Sequence, residues 1–207
     1  MRFSIISLVV VLLFSCAIPT VKGLPEFNST INQFSNPYFT DVNTDYVYKA
    51  KISAYDNVFG GILIIKKIKE NNHRIVFTTN FGNKIFDFEL INNEVKMHFI
   101  MEELNRKIIT KTLTRDFKTL TQEHNNIQKK FKKSLQETIY QSKTKNRYNH
   151  YIVVSNTNEL KKIIHTSHSK EKISITFNKV QNNIAKTINI HHKNAPIKID
   201  LDYLGNN

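Results

Sequence analysis

From residue 45 onward, apolar and polar residues alternate with period two in one segment after another. A chain patterned this way buries an apolar face by forming an antiparallel sheet, because successive side chains of a strand point to opposite sides. Tyr48, Ala50, Ile52 and Ala54 alternate with Lys49, Lys51 and Ser53, and Phe86, Phe88 and Leu90 with Asp87 and Glu89. Val95, Met97 and Phe99 alternate with Lys96 and His98, Ile173, Ile175 and Phe177 with Ser174 and Thr176, and Ile197, Ile199 and Leu201 with Lys198 and Asp200. Asn71-Asn72, Asn92-Asn93 and Asn182-Asn183 separate such runs, and asparagine tolerates the left-handed conformation of tight turns, so five glycines suffice. The runs predict strands near 46–55, 60–68, 73–80, 84–91 and 94–101, then near 136–142, 147–154, 160–167, 172–180, 184–191 and 197–204.

One segment breaks the alternation. Leu113, Phe117, Leu120, Ile127 and Phe131 recur at helical spacing between residues 111 and 133. The expected architecture is therefore mainly β: a strongly curved antiparallel sheet of about eleven strands, with a helical insertion whose apolar stripe covers the concave side. Such a sheet wraps either a filled core or a pocket. Lys129, Lys130, Lys132 and Lys133, the densest basic cluster, are expected on a solvated face of that helix.

The N-terminal residues speak to compartment. Arg2 followed by the apolar stretch Phe3 to Phe14 is too short for a permanent membrane helix, which needs about 20 apolar residues, and has the length of a secretory signal core. It ends at Leu13-Phe14-Ser15-Cys16, and Cys16 is the chain's one cysteine. A small residue followed by cysteine resembles a bacterial lipoprotein signal, which makes Cys16 the expected lipid attachment site; Phe14 departs from the small or aliphatic residue usual there. Acylation would also leave no unpaired thiol in an oxidising compartment. An ordinary signal cut after Ala17 or near Gly23 remains the alternative. The expected organisation is a signal peptide over 1–15, a lipid-anchored tether and entry segment over 16–45, which holds Pro19, Pro25 and Pro37, and one domain over 46–204. Asn28-Ser29-Thr30 matches a glycosylation acceptor, a triplet that arises readily by chance.

The formal net charge is +13. That sign suits an anionic membrane surface or nucleic acid, but export and the scatter of lysines over the whole chain argue against nucleic acid. Chemistry-bearing motifs are sparse. The sequence has no nucleophile elbow, no phosphate-cradling glycine loop and no zinc-protease helix. His165 and His168 have a two-ligand spacing and His191-His192 adds two imidazoles, but on strands the first two would point to opposite faces, so surface histidines are expected, with no metal and no cofactor. Asp116 is expected to cap a helix or pair with a lysine. The reading is of a protein that is not an enzyme.

A resemblance extends this reading. Tyr46-Val47-Tyr48-Lys49-Ala50-Lys51-Ile52, then Phe59-Gly60-Gly61-Ile62-Leu63-Ile64-Ile65, then His73-Arg74-Ile75-Val76-Phe77-Thr78-Thr79-Asn80-Phe81-Gly82 resemble the first half of the LolB-like outer-membrane lipoprotein receptors. Ile188-Asn189-Ile190, Ala195-Pro196 and Ile197-Lys198-Ile199-Asp200-Leu201 resemble that family's closing hairpin. The resemblance covers roughly residues 45–204. It implies an incomplete β-barrel, covered by helices, whose apolar cavity accepts acyl chains of lipoproteins or lipids. Phe81 and Gly82 match by position a leucine-glycine pair on a loop associated with membrane insertion; an inward-packed Phe81 at a strand end is the alternative.

Candidates for lining the cavity are Ile62, Ile64, Phe77, Phe86, Phe88, Phe99, Ile152, Ile175 and Phe177. The implied partners are acyl chains, the membrane reached through the anchor, and a periplasmic carrier protein. The chain is expected to act as a monomer on the periplasmic face of an outer membrane. A non-transporting envelope lipoprotein that uses the same fold for protein contacts, and a secreted eukaryotic binding protein, are the other classes left open.

Overall fold

The structure is a computed structural model and describes residues 18–27, 32–92, 94–167 and 170–205. Cys16, Asn28-Ser29-Thr30 and His168 lie outside the described residues. The strands before the helix are β1 (Gln33–Ser35), β2 (Asp45–Ala54), β3 (Asn57–Lys69), β4 (Asn72–Thr78), β5 (Lys84–Ile91) and β6 (Glu94–Ile100). The helix α1 spans Lys107–Thr121. After it come β7 (His124–Asn126), β8 (Lys129–Lys132), β9 (Glu137–Thr144), β10 (Arg147–Val154), β11 (Leu160–Ser167), β12 (Glu171–Gln181), β13 (Ile184–His192) and β14 (Ile197–Tyr203).

Twelve strands form one antiparallel, curved and unclosed sheet in the order β6-β5-β4-β3-β2-β14-β13-β12-β11-β10-β9-β8, while β1 and β7 pair separately. All eleven alternating segments are strands within a few residues of the expected bounds. The asparagine turns also form as expected: Asn71, Asn92, Asn182 and Asn183 have φ of 52°, 47°, 49° and 58°. With both its residues left-handed, the 182–183 turn matches the right-handed twist of the strands it joins.

Two rims follow from this connectivity. The first rim carries the turns 55–56, 79–83, 145–146 and 193–196, and the second carries 70–71, 155–159 and 182–183. Between them the concave face is continuous: Tyr48 and Ile52 of β2, Leu63 and Ile65 of β3, Ile175 and Phe177 of β12, Ile188 and Ile190 of β13, and Ile199 and Leu201 of β14 are all buried in one cluster.

The helix buries Ile109, Leu113, Phe117 and Leu120 in the same cluster. Phe117 meets Phe86 and Phe88 edge-on, each at 5.9 Å between ring centroids. Three sequence expectations are corrected here. The helix ends at Thr121, so Ile127 and Phe131 are not on it, and Lys129, Lys130 and Lys132 lie on β8 rather than on a helix face. Phe131 instead packs with Ile139, Ile152 and Ile164, on the convex side of the sheet.

The described residues of the expected tether are packed structure as well. Residues 18–27 form a strap: Val21 and Leu24 cover that convex cluster, Phe27 N–H donates to Lys130 O (3.0 Å), and Lys132 N–H donates to Pro25 O (3.1 Å). The strap thus occupies the otherwise free edge of β8, where unpaired backbone groups invite further strands. At its other end Thr20 Oγ1 donates to Glu171 Oε1 (2.8 Å) at the start of β12.

Residues 33–39 enter the concave side, where Phe34, Tyr38 and Phe39 are buried. Asn36 fixes them: its Nδ2 donates to the helix-terminal carbonyl of Leu120 (2.8 Å) and its Oδ1 accepts from Tyr38 N–H (3.0 Å). An unpartnered C-terminal helix carbonyl is thereby satisfied by a residue 84 positions away.

Gly61 of β3 explains one glycine of the Gly60-Gly61 pair. A Cβ there would collide with the Thr78 carbonyl of β4, whereas one at Gly60 meets open space. Gly61→Ala is expected to cost about 1–3 kcal/mol through forced separation of β3 and β4, and Gly60→Ala less than about 0.5 kcal/mol; chemical denaturation of the two variants measures both.

Candidate functional site

The concave centre is filled. Phe77, Phe86, Phe88 and Phe117 pack in the main cluster, with Phe77 and Phe86 centroids 5.3 Å apart. On the concave side open volume lies instead at the second rim, where the 33–39 segment crosses the sheet. A cavity of about 580 Å³ sits there, with Phe34, Tyr38, Tyr140 and Val180 on its apolar side and Asn158, Glu159, Asn182 and Asn183 at the turns. Its volume falls in the ordinary range for small-molecule sites, about 300–1,000 Å³.

The apolar floor is held rigidly. Phe34 stacks on Tyr140 at 5.5 Å and leans on Tyr151 at 5.1 Å. Tyr38 lies 4.4 Å from Phe177, and its hydroxyl donates to Leu160 O (2.6 Å). Burial, with the nearby Glu159 charge adding to it, pushes the Tyr38 phenol up, so it stays a neutral donor. Tyr151 is also pushed up by burial and donates to Asn125 Oδ1 (2.5 Å). The site pairs aromatic walls with a polar mouth, an arrangement suited to an amphiphile whose apolar part enters first.

None of the nine residues expected to line a cavity lies in this wall. Phe77, Phe86, Phe88, Ile175 and Phe177 are main-core residues. Ile152 belongs to the convex cluster beneath the strap. Ile62 and Ile64 are half-buried on the convex side, because Leu63 and Ile65 are the members of that apolar run that turn inward. Phe99 is exposed on the edge strand β6, where a register irregularity sets it opposite Asp87 on the convex face while Met97 and Ile100 pack on the core. The cavity residues Phe34 and Tyr38 belong to the aromatic run Phe34-Ser35-Asn36-Pro37-Tyr38-Phe39, the one available signal for them in the sequence.

Phe81 is 94% exposed at the first rim, so it does not pack inward. Its loop is nonetheless well bonded: Gly82 N–H donates to Thr79 O (3.0 Å), Thr79 N–H donates to Asn83 O (2.8 Å), and Gly82 takes the left-handed conformation with φ of 87°. Tyr55 and Ile108 are exposed at the same rim.

The histidines are not all surface groups. His165 is buried, and its Nδ1 donates to Asn149 Oδ1 (2.7 Å). His192 has a nearly buried side chain and bonds the wholly buried Asp116 through Nε2 (2.6 Å). Asp116 is therefore paired with a histidine rather than a lysine; burial raises its pKa, with His192 and Arg115 pulling the other way. His191 is exposed. Among the described residues no cluster of three or more His, Cys, Asp or Glu side chains could hold a metal, and no helix is long and apolar enough to cross a membrane.

No family model matches the chain, and no curated protein does. Among solved structures, a LolA-superfamily protein from Nitrosomonas europaea superposes with a TM-score of 0.52 at 10% identity, over 82% of this chain and 88% of that one. A putative outer-membrane lipoprotein-sorting protein domain from Vibrio parahaemolyticus aligns at a TM-score of 0.42 and 8% identity, over 78% of this chain and 83% of its own. The first likeness shows the fold: a LolA-like open half-barrel with a helical insertion.

Burial, reinforced at His165 by Arg115 and Arg147, lowers the pKa of both His150 and His165 to about 4. At His150 the amide of Gln141 donates to Nε2 (2.9 Å) while Nδ1–H faces Ile164 O (3.3 Å), contacts that need the neutral ring. An unfolded imidazole takes its proton near 6.5, so between pH 6.5 and 4 the unfolded chain binds more protons. The stability from these rings is present above pH 6.5 and is lost as pH falls toward 4, by up to about 3 kcal/mol for His150. Denaturation midpoints across this window are expected to drop, and to drop less in His150→Gln.

Proposed function

We propose that this chain is an envelope protein that binds acyl chains of lipoproteins or lipids, anchored by an acylated Cys16 on the periplasmic side of an outer membrane, and that it passes its cargo to that membrane. The observation that carries the reading is the 580 Å³ cavity at the second rim, aromatic within and polar at its mouth, in an open half-barrel. A methylene removed from water is worth about 0.8 kcal/mol; because Phe34, Tyr38 and Tyr140 are already nearly buried, the few methylenes they and Val180 can cover would contribute about 2 kcal/mol before ordering costs.

The mouth and Phe81 lie at opposite rims. A domain resting on a bilayer by its first rim turns the mouth toward the periplasm, where a carrier protein would present cargo. Phe81 is then the membrane contact, an aromatic ring on a loop rigid enough to present it.

Delipidated full-length protein incubated with a fluorescent lysophospholipid should take up the chain, and Val180→Trp, which fills the cavity from its edge, should reduce uptake at least tenfold. Unchanged uptake in Val180→Trp would move the assignment to a non-transporting envelope protein that uses the half-barrel for protein contacts, the reading favoured by the phenylalanine-filled centre. Phe81→Glu should lower transfer of bound chains to vesicles several-fold while leaving uptake intact, with folding stability within about 0.5 kcal/mol of the parent because the side chain is exposed.

A further inference from the structure

A smaller cavity, of about 270 Å³, opens at the first rim between α1 and the ends of β10, β11, β12 and β13. It is too small for the cargo proposed above and holds about nine waters' worth of liquid volume. Its charged lining is uneven. Arg115, Arg147 and Lys172 reach it, together with His165 and His192. The acidic group against them is Asp116, which is wholly buried and whose Oδ2 is taken by His192.

Two details separate this pocket from the general basicity of the chain. Arg115 Nε and Asp116 Oδ1 form a long ion pair at 3.8 Å, and both are buried without a hydrogen bond. The rest of the guanidinium remains open, with the side chain 35% exposed. Lys172 Nζ is steered by the Asn194 side-chain oxygen (2.6 Å) in the amide orientation that satisfies both groups, and Arg147 has no ion pair among the described residues. Three cations line one concavity against the single carboxylate Asp116, which His192 shares, so a further anion entering it would relieve their mutual repulsion. Guanidinium forks match the paired oxygens of a phosphate or carboxylate, while an ammonium supplies a point charge.

We propose that this first-rim pocket binds a phosphate-type oxyanion, held by Arg115, Arg147 and Lys172. The site stands apart from the acyl-chain cavity, which lies at the other rim, and does not depend on that reading. Tyr55 and Ile108 flank the pocket, and Phe81 projects from the same rim. A phosphate reaching it can therefore come from a lipid headgroup under a docked rim or from a soluble phosphorylated compound.

The test uses the full chain with three probes: inorganic phosphate, vesicles of phosphatidylglycerol in phosphatidylcholine, and vesicles of phosphatidylcholine alone. Arg147→Gln/Lys172→Gln should weaken phosphate binding at least tenfold, read by NMR shifts of the His165 and His192 rings. Lys69→Gln/Lys96→Gln, which removes the same charge near the second rim, should leave it unchanged. Parent protein that prefers phosphatidylglycerol vesicles, with the preference lost in the first variant alone, assigns the phosphate to lipid. Phosphate binding without vesicle preference keeps the site and assigns a soluble ligand. Equal losses in both variants, or no loss in the first, would overturn the proposal and leave only diffuse charge attraction. Circular dichroism and melting of each variant confirm that the fold is kept.

Discussion

A sheet of twelve strands that stops short of closing must hide an entire apolar face by other means, and the packing of α1 and the 33–39 segment against that face underlies the rest of the molecule. Phe117 between Phe86 and Phe88 seats the helix. Asn36, bonded to the carbonyl of Leu120, couples the end of that helix to the covering segment. Because cover and helix are joined at this point, the concave space divides into a filled centre and an open margin at the second rim, where the cavity lies.

Most of the sheet was legible because its strands are half-wet: wherever lysine or aspartate alternated with isoleucine or phenylalanine, the segment could be located and its inward face assigned. Legibility failed where alternation was absent. In Ile62-Leu63-Ile64-Ile65 and in Tyr151-Ile152-Val153 every residue is apolar, so period alone cannot choose a face, and Ile62, Ile64 and Ile152 were placed on the wrong one. Phe99 alternates in sequence, but a register irregularity between β5 and β6 sets it opposite Asp87 on the convex face and gives Met97 and Ile100 the inward positions. Strands of three or four residues such as β1, β7 and β8 are too short to show a period, which let Ile127 and Phe131 pass as a continuation of the helix.

The site was less legible than the fold for a related reason. Phe34, Tyr38 and Tyr140 meet through contacts between residues about 100 positions apart, and Phe34 and Tyr38 sit in a proline-bearing stretch that reads locally as linker. Arg115, Arg147 and Lys172 likewise come from one helix and two strands, each unremarkable alone in a lysine-rich chain. The exception is Phe81: a large apolar residue beside a glycine in a turn was visible as a loop feature, and the bonded loop holds it outward.

The strap changes how far the domain can roam. Ile18, Val21, Phe131 and Tyr148 border an open cavity of about 390 Å³ on the convex side, and Thr20 is fastened to Glu171 at the first rim. On the proposed acylation of Cys16, only three residues separate the anchor from Thr20, a reach of about 14 Å when fully extended. So short a leash would make the protein less a buoy on a line than a plate bolted to the bilayer, with its tilt fixed by covalent chain length before Phe81 touches a lipid.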